Sequence, residues 1–336
     1  MNAARPIVIA GAGSIGCFVG GMLAAAGKPV RFLARSRMID EIRANGLRLT
    51  SFEGIDRRLP GSSIELSDDP ARLREAGIVL VCVKSADTAA MAATIAAYAP
   101  SDAIVVSLQN GVSNVATLQT HLAGHRIVAG MVPFNVVALG NGRFHRSTSG
   151  DIVVQADDTA LAARLSVPGL MLRPTDDIVA VQWGKLLVNL NNAINALSGL
   201  PLRDQLSQRP WRRLLADQID EALRATAAEG IAPVAPTPLP AAWTPRILRL
   251  PDWAFRLVAG RMIKIDPRAR SSMADDLDRG RVTEIDYLQG VIVEIARRRH
   301  LDVPLTRGIV ELIKHAERLG QGSPRLNPDQ IRAGAV

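Results

Sequence analysis

The chain has 336 residues, 48% of them hydrophobic, with 40 Lys and Arg against 32 Asp and Glu and a formal net charge of +8. That length carries one large domain or two ordinary ones, and the apolar content excludes a disordered chain. No run of about 18 uninterrupted apolar residues occurs, which argues against a helical membrane span, while 4% aromatic residues and scattered arginines offer no stacking platform for nucleic acid.

The N-terminus MNAARPIVIAG leads almost directly into a strand, leaving no room for a signal peptide, so a cytoplasmic location is expected. Cys17 and Cys82 sit in apolar stretches without a CxxC or His companion, which predicts buried, reduced thiols and neither a disulfide framework nor a metal site.

In chain order, PIVIAG (6–11) reads as a strand, Ser14 to Ala26 as a helix of small residues, and PVRFLAR (29–35) as a second strand after the stop at Gly27. IVLVCVK (78–84) and AIVVSLQ (103–109) are further apolar strands, each followed by a helix candidate. Continuous rather than alternating apolarity implies strands buried on both faces, hence an α/β, Rossmann-type doubly wound parallel sheet. From about 127 to 155, RIVAGMVPFNVVALG and GDIVVQA read as antiparallel strands that extend or cap that sheet. Beyond Pro174 the pattern turns helical, over 176–198, 210–229, 270–300 and 304–319. The proline-dense IAPVAPTPLPAAWTP (231–245) interrupts those helices as a loop or extended connector. A boundary near 172 gives an α/β domain over 1–172 and an all-helical domain over 173–336.

GAGSIG (11–16) fits G-x-G-x-x-G between a strand and a helix, the context that dinucleotide binding needs. Gly11 permits the tight turn, Gly13 lets a pyrophosphate approach, and Gly16 lets helix and sheet pack closely, with Ser14 and Ile15 opening the helix toward the phosphates. A strand-end carboxylate would accept hydrogen bonds from an NAD ribose, yet the second strand ends in LARSR. Arg35, with Arg37 nearby, offers a guanidinium to a 2′-phosphate, so NADP(H) is the expected cofactor, unless Arg35 is simply one exposed arginine among many. Lys84 and Asn110 end two other strands, where ligands bind in such sheets. A surface lysine and an Asn-Gly turn are the plainer readings.

In WGKLLVNLNNAINALSG (183–199), Leu186, Leu187, Leu190, Ile194 and Leu197 form one apolar helix face. Lys185, Asn189 and Asn192 cluster on another side, flanked by Asn191 and Asn195. Amides with a single cation suit a cleft wall that orients a ligand, and equally suit an interhelical hydrogen-bond seam. In SSMADDLDRGRVTEIDYLQGVIVEIARRR (271–299), a helix running on from Thr283 puts Glu284 on the buried stripe with Leu288, Val291 and Ile295, while Asp286 faces away. A first-turn glutamate is also favourable through the helix dipole alone. Ser272, three residues before Asp275, fits a capping box.

GAGSIG, the strand-end arginine, VK at 83–84, SLQNG at 107–111, WGKLLVN at 183–189 and SSM…RG..TEID at 271–286 together resemble the ketopantoate reductase (2-dehydropantoate 2-reductase) family over nearly the whole chain. The resemblance implies NADPH-dependent reduction of 2-dehydropantoate to (R)-pantoate, a step of pantothenate and coenzyme A biosynthesis, in a cleft between the two domains. It makes Lys185 the general acid for the carbonyl oxygen and Glu284 the holder of the substrate hydroxyl. It also makes Asn110 and Asn189 positioning groups and Ser272 a contact to the substrate carboxylate, with Asn192 beside them. Arg35 and Lys84 match the family's cofactor contacts. A ketone's developing alkoxide needs a proton or cation, and a partly desolvated lysine supplies its proton readily.

The chain departs from the pattern at Ala193, where some members carry asparagine, at Asp87, where an amide is common, and in a lengthened 231–269 stretch. These differences bear on substrate identity rather than reaction class, and leave reduction of another 2-oxo acid as an alternative. A non-catalytic NADP(H) sensor or nucleic-acid-associated protein is the alternative from another class, against which Lys185 and Glu284 both argue. Apolar helix faces in the second domain fit a homodimer interface or a core equally well. No membrane partner and no nucleic-acid partner are expected.

Overall fold

The computed structural model describes residues 5–156, 159–235, 240–259 and 269–334. The chain divides into two compact units, Met1–Ile178 and Val179–Val336.

Strands of the first unit are β1 (Ile7–Ala10), β2 (Val30–Leu33), β3 (Leu47–Ser51), β4 (Asp56–Leu59), β5 (Glu65–Ser67), β6 (Ile78–Val81), β7 (Ile104–Ser107), β8 (Arg126–Met131), β9 (Val136–Gly140), β10 (Arg143–Arg146), β11 (Ile152–Gln155) and β12 (Leu172–Thr175). Its helices are α1 (Ser14–Ala25), α2 (Ser36–Asn45), α3 (Thr88–Tyr98), α4 (Asn114–His121) and α5 (Thr159–Leu165). Eight strands form one sheet in the order β12-β11-β8-β7-β6-β1-β2-β5.

Alternate residues of β1 feed two cores. Ile7 and Ile9 pack on the face covered by α1, whereas Val8 and Ala10 join Val79, Val81 and Ala92 on the other. Burial on both faces is the reason these strands are continuous apolar runs. Ile7–Ala10 lies in parallel register with Val30–Leu33 and Ile78–Val81, so the three strands end level. The loops that begin at Gly11, Ala34 and Cys82 therefore leave the sheet side by side.

The 127–155 region departs from its expected pairing. β8 runs parallel to β7, with Val128 and Ala129 buried as in the other central strands. Of these segments β11 is the one that pairs antiparallel with the main sheet, against β8. β9 and β10 leave that sheet and join β3 and β4 in a second one, ordered β4-β3-β10-β9. Exposed Val137 and Leu139 mark β9 as one-sided. This small sheet packs on α1, where Gly21 admits the Leu49 side chain.

The described residues of the second unit form helices and no strands. After α6 (Ile178–Asn189) come α7 (Asn191–Ser198), α8 (Leu202–Ser207), α9 (Arg209–Ala228), α10 (Thr244–Leu248), α11 (Asp252–Ala259), α12 (Ser272–Asp278), α13 (Ile285–Arg299), α14 (Pro304–Leu319) and α15 (Pro328–Ala333). The amphipathic α9 packs on α10, α13 and α14.

Two expected long helices are each broken. The 176–198 segment splits at Leu190, whose carbonyl accepts the Gln289 side-chain amide at 3.0 Å. The 270–300 segment splits into α12 and α13 at a turn that contains Gly280 with φ +59°. Within 231–245, residues 231–235 carry no regular secondary structure, as a loop would, and Ala241–Trp243 forms a 3-10 turn leading into α10. The remainder of the 231–269 insertion includes α11, while 236–239 and 260–268 lie outside the described residues. Among the described residues no helix is long and apolar enough to cross a membrane. Cys17 is buried and Cys82 half-buried, both as free thiols.

Candidate active site

In the first unit, the chain leaves β1 at Gly11 with φ +106°, a conformation that favours glycine. A Cβ there would also lie 2.7 Å from Val83 Cγ1 and 2.8 Å from Val83 N. Gly16 is buried, and a Cβ on it would overlap the Gly11 carbonyl oxygen. Gly13 is the opposite case, exposed, with open space where a Cβ would stand. No side chain caps α1 and no acidic residue lies in its first turn, so the opening N–H groups of Ser14, Ile15 and Gly16 lack intrahelical acceptors. An N-terminus of this kind, beneath an open glycine, accommodates an anion.

Arg35 follows β2 and stands at the N-cap of α2. Its side chain is 89% exposed and its Nη2 donates to Asp87 Oδ2 at 3.1 Å. Arg37 is exposed two residues on. Lys84, also exposed, precedes the 3-10 turn Ser85–Asp87 after β6.

Asn110 has an exposed side chain and a pinned backbone. Its carbonyl accepts from Ser85 Oγ at 3.0 Å and from Asn114 Nδ2 at 2.6 Å. Thr88 Oγ1 donates to Asn114 Oδ1 at 2.9 Å, and Gln109 Nε2 donates to Thr88 Oγ1 at 2.7 Å and to the Val83 carbonyl at 3.1 Å. This buried network locks the loop carrying Lys84 to the loop carrying Asn110. Sequence reasoning missed Ser85, Thr88 and Asn114 and gave Gln109 no role, because their partners lie 21 to 29 residues away.

In the second unit, Lys185 lies in α6 between buried Trp183 and buried Leu186 and Leu187. It is half-buried, and desolvation lowers its pKa to about 8. Its neighbour Gly184 permits a close crossing, since the chain at Val234 and Ala235 passes against α6 and a Cβ at Gly184 would overlap the Val234 carbonyl. The Val234 N–H donates to the Ala180 carbonyl at 2.9 Å. A glycine inside an otherwise apolar helix was the available signal for this contact.

The asparagines of the 183–199 segment divide into two sets. Asn191 and Asn195 form an interhelical seam: Asn195 Nδ2 donates to Gln205 Oε1 and to the Leu200 carbonyl, both at 2.9 Å, and Gln205 Nε2 donates to Asn191 Oδ1 at 3.0 Å. Asn189 is buried at the end of α6, and Asn192 is half-buried in α7.

Ser271, rather than Ser272, caps α12. Its Oγ accepts from Ala274 N at 3.2 Å and donates to the Asn192 carbonyl at 2.9 Å, while its own N–H donates to Asn195 Oδ1. Ser272 is the exposed first residue of that helix, so it forms no capping box with Asp275. α12 is thereby tied to α7, with Ser272 held near Asn192.

Glu284 is half-buried just before α13, which starts at Ile285 rather than Thr283. The Thr283 hydroxyl accepts from Ile285 N, and the Thr283 N–H donates to Glu317. Asp286 faces away, ion-paired with Lys314 at 2.6 Å. Val291 is half-buried, the fully buried stripe being Leu288, Ile292, Ile295 and Ala296. Gln289 ties this helix to the Leu190 break directly after Asn189.

Comparison with known proteins places this geometry in context. Residues 7–158 match the model of the family described as ketopantoate reductase PanE/ApbA, and 177–317 match that of its C-terminal domain. A 2-dehydropantoate 2-reductase of Halobacterium salinarum is 30% identical over 94% of this chain and 99% of its own length. A PanE/ApbA family ketopantoate reductase from Ralstonia eutropha superposes with a TM-score of 0.80 at 31% identity, covering 94% of this chain and 99% of that one. D-mandelate dehydrogenase, solved with NADH and anilino(oxo)acetate, shares the fold with a TM-score of 0.77 at 21% identity, over 94% and 99% of the respective chains.

Proposed function

The chain belongs to the ketopantoate reductase family, and on that premise we propose that it reduces 2-dehydropantoate to (R)-pantoate with NADPH. The observation that carries this reading is Lys185, a helix-borne amine whose burial brings its pKa to about 8.

The residues present fit a dinucleotide. Open space over Gly13, the uncapped start of α1, and the exposed cations Arg35 and Lys84 suit a polyanionic ligand in a Rossmann-type first unit. When bound, NADPH supplies the hydride that reaches the carbonyl carbon. Gly11, Gly13, Ser14, Ile15 and Gly16 would hold its pyrophosphate, and Arg35 would hold the 2′-phosphate through charge-assisted hydrogen bonds.

Lys185 delivers a proton to the carbonyl oxygen as negative charge develops there. A donor near its own pKa at neutral pH transfers readily, and general-acid catalysis of this sort contributes about 10²–10⁴ in rate. Glu284 holds the substrate hydroxyl, Ser272 its carboxylate, and Asn189 and Asn192 orient it beside the lysine. Asn110, on its pinned backbone, would position the nicotinamide end.

A second reading, the same reduction applied to another 2-oxo acid, is favoured by the fold shared with D-mandelate dehydrogenase. Loss of reduced-nicotinamide absorbance with a panel of 2-oxo acids separates the two. Fastest turnover of 2-dehydropantoate supports the first reading, a different preferred acid the second, and no turnover with any acid overturns both.

A further inference from the structure

We propose that Asp87 is a specificity-determining residue that competes with the cofactor's 2′-phosphate for the Arg35 guanidinium, and so moderates the preference for NADPH over NADH. This rests on the cofactor reading above.

The pair joins two loops across the glycine loop. β6, β1 and β2 are neighbours that end level, so Asp87 after β6 and Arg35 after β2 flank the turn that starts at Gly11. Their contact, Nη2 to Oδ2 at 3.1 Å, spans that turn.

Asp87 occupies the N-cap position of α3, where a carboxylate ordinarily accepts N–H bonds from its own helix, yet its side chain makes no capping bond there. The carboxylate is directed to Arg35 instead. Its position is fixed from below: the Asp87 N–H donates to the Lys84 carbonyl at 2.9 Å, and Ser85 and Thr88 on either side are held by Asn114. Arg35 is the more exposed partner, with a side chain 89% exposed against 48% for Asp87.

Exposed ion pairs hold weakly, so a phosphate can draw Arg35 away. The displaced Asp87 charge then remains beside an incoming phosphate of the same sign. A 2′-hydroxyl brings no such repulsion, and a nearby carboxylate can accept its hydrogen bond. Asp87 therefore weakens NADPH binding selectively.

Fluorescence titration of the full-length protein with NADPH and with NADH tests this without requiring a substrate. Asp87→Asn is expected to tighten NADPH about three- to tenfold and to move NADH by less than about twofold. In an Arg35→Ala background, where the competition is gone and only the repulsion remains, the same substitution should give a smaller gain for NADPH than it gives in the wild type. The gain should also shrink in about 1 M salt, where the screening length falls to about 3 Å. An unchanged NADPH to NADH ratio in Asp87→Asn, or an equal gain for both, overturns the inference alone. Failure of the wild-type protein to bind either cofactor overturns the cofactor reading and this inference with it.

Discussion

Asn195 Oδ1 accepts the backbone N–H of Ser271 at 2.9 Å, joining two residues 76 positions apart. The same side chain donates to Gln205 and to the Leu200 carbonyl, so a wholly buried amide sets where α12 begins and where Ser272 sits. Buried groups left without partners cost about 1–3 kcal/mol each.

Asn195→Leu removes one accepted and two donated hydrogen bonds from this seam while keeping similar bulk. It is expected to destabilise the fold by about 2–4 kcal/mol, read from the urea midpoint at constant slope. It should also raise KM for the 2-oxo acid. A loss under about 1 kcal/mol would mean that the seam is not what fixes α12.

Gly184→Ala sets two effects against each other. Alanine favours a helix interior over glycine by about 1 kcal/mol. Here the new Cβ overlaps the Val234 carbonyl, in a residue whose own N–H is bonded to the Ala180 carbonyl, and overpacking typically costs about 1–3 kcal/mol. The overlap should win, giving a lower Tm and a weaker KM as the 231–235 segment shifts. A variant more stable than wild type would show that this segment yields freely.

The lowered pKa of Lys185 gives a signed pH dependence. Burial disfavours the charged amine, so below about pH 8 the group is mostly protonated and can donate, and above it the proton is lost. The kcat for reduction should be level below that pH and fall about tenfold per unit above it. A profile flat through pH 8 to 10 would separate the reaction from this group.

Much of the fold could be read from the sequence, for identifiable reasons. Ile7–Ala10, Ile78–Val81 and Ile104–Ser107 are short apolar runs because both their faces are covered, and GAGSIG carries its geometry in glycine spacing. The second sheet was invisible because β4 and β10, as DRRL and RFHR, are short and charged, with pairing set by strands far along the chain. Adjacent serines at 271 and 272 are equivalent as letters, and the direction from which the chain enters α12 decides which one caps it. The break at Leu190 depends on a Gln289 amide 99 residues away. Of the two readings left open for the asparagine-rich helix, the seam applies to Asn191 and Asn195.

The central claim is that the Lys185 amine protonates the substrate oxygen, and the steady-state kcat of Lys185→Ala with NADPH and 2-dehydropantoate tests it most directly. With cofactor affinity retained as a check on folding, kcat should fall by about two to four orders of magnitude. Turnover within about threefold of wild type would contradict the account.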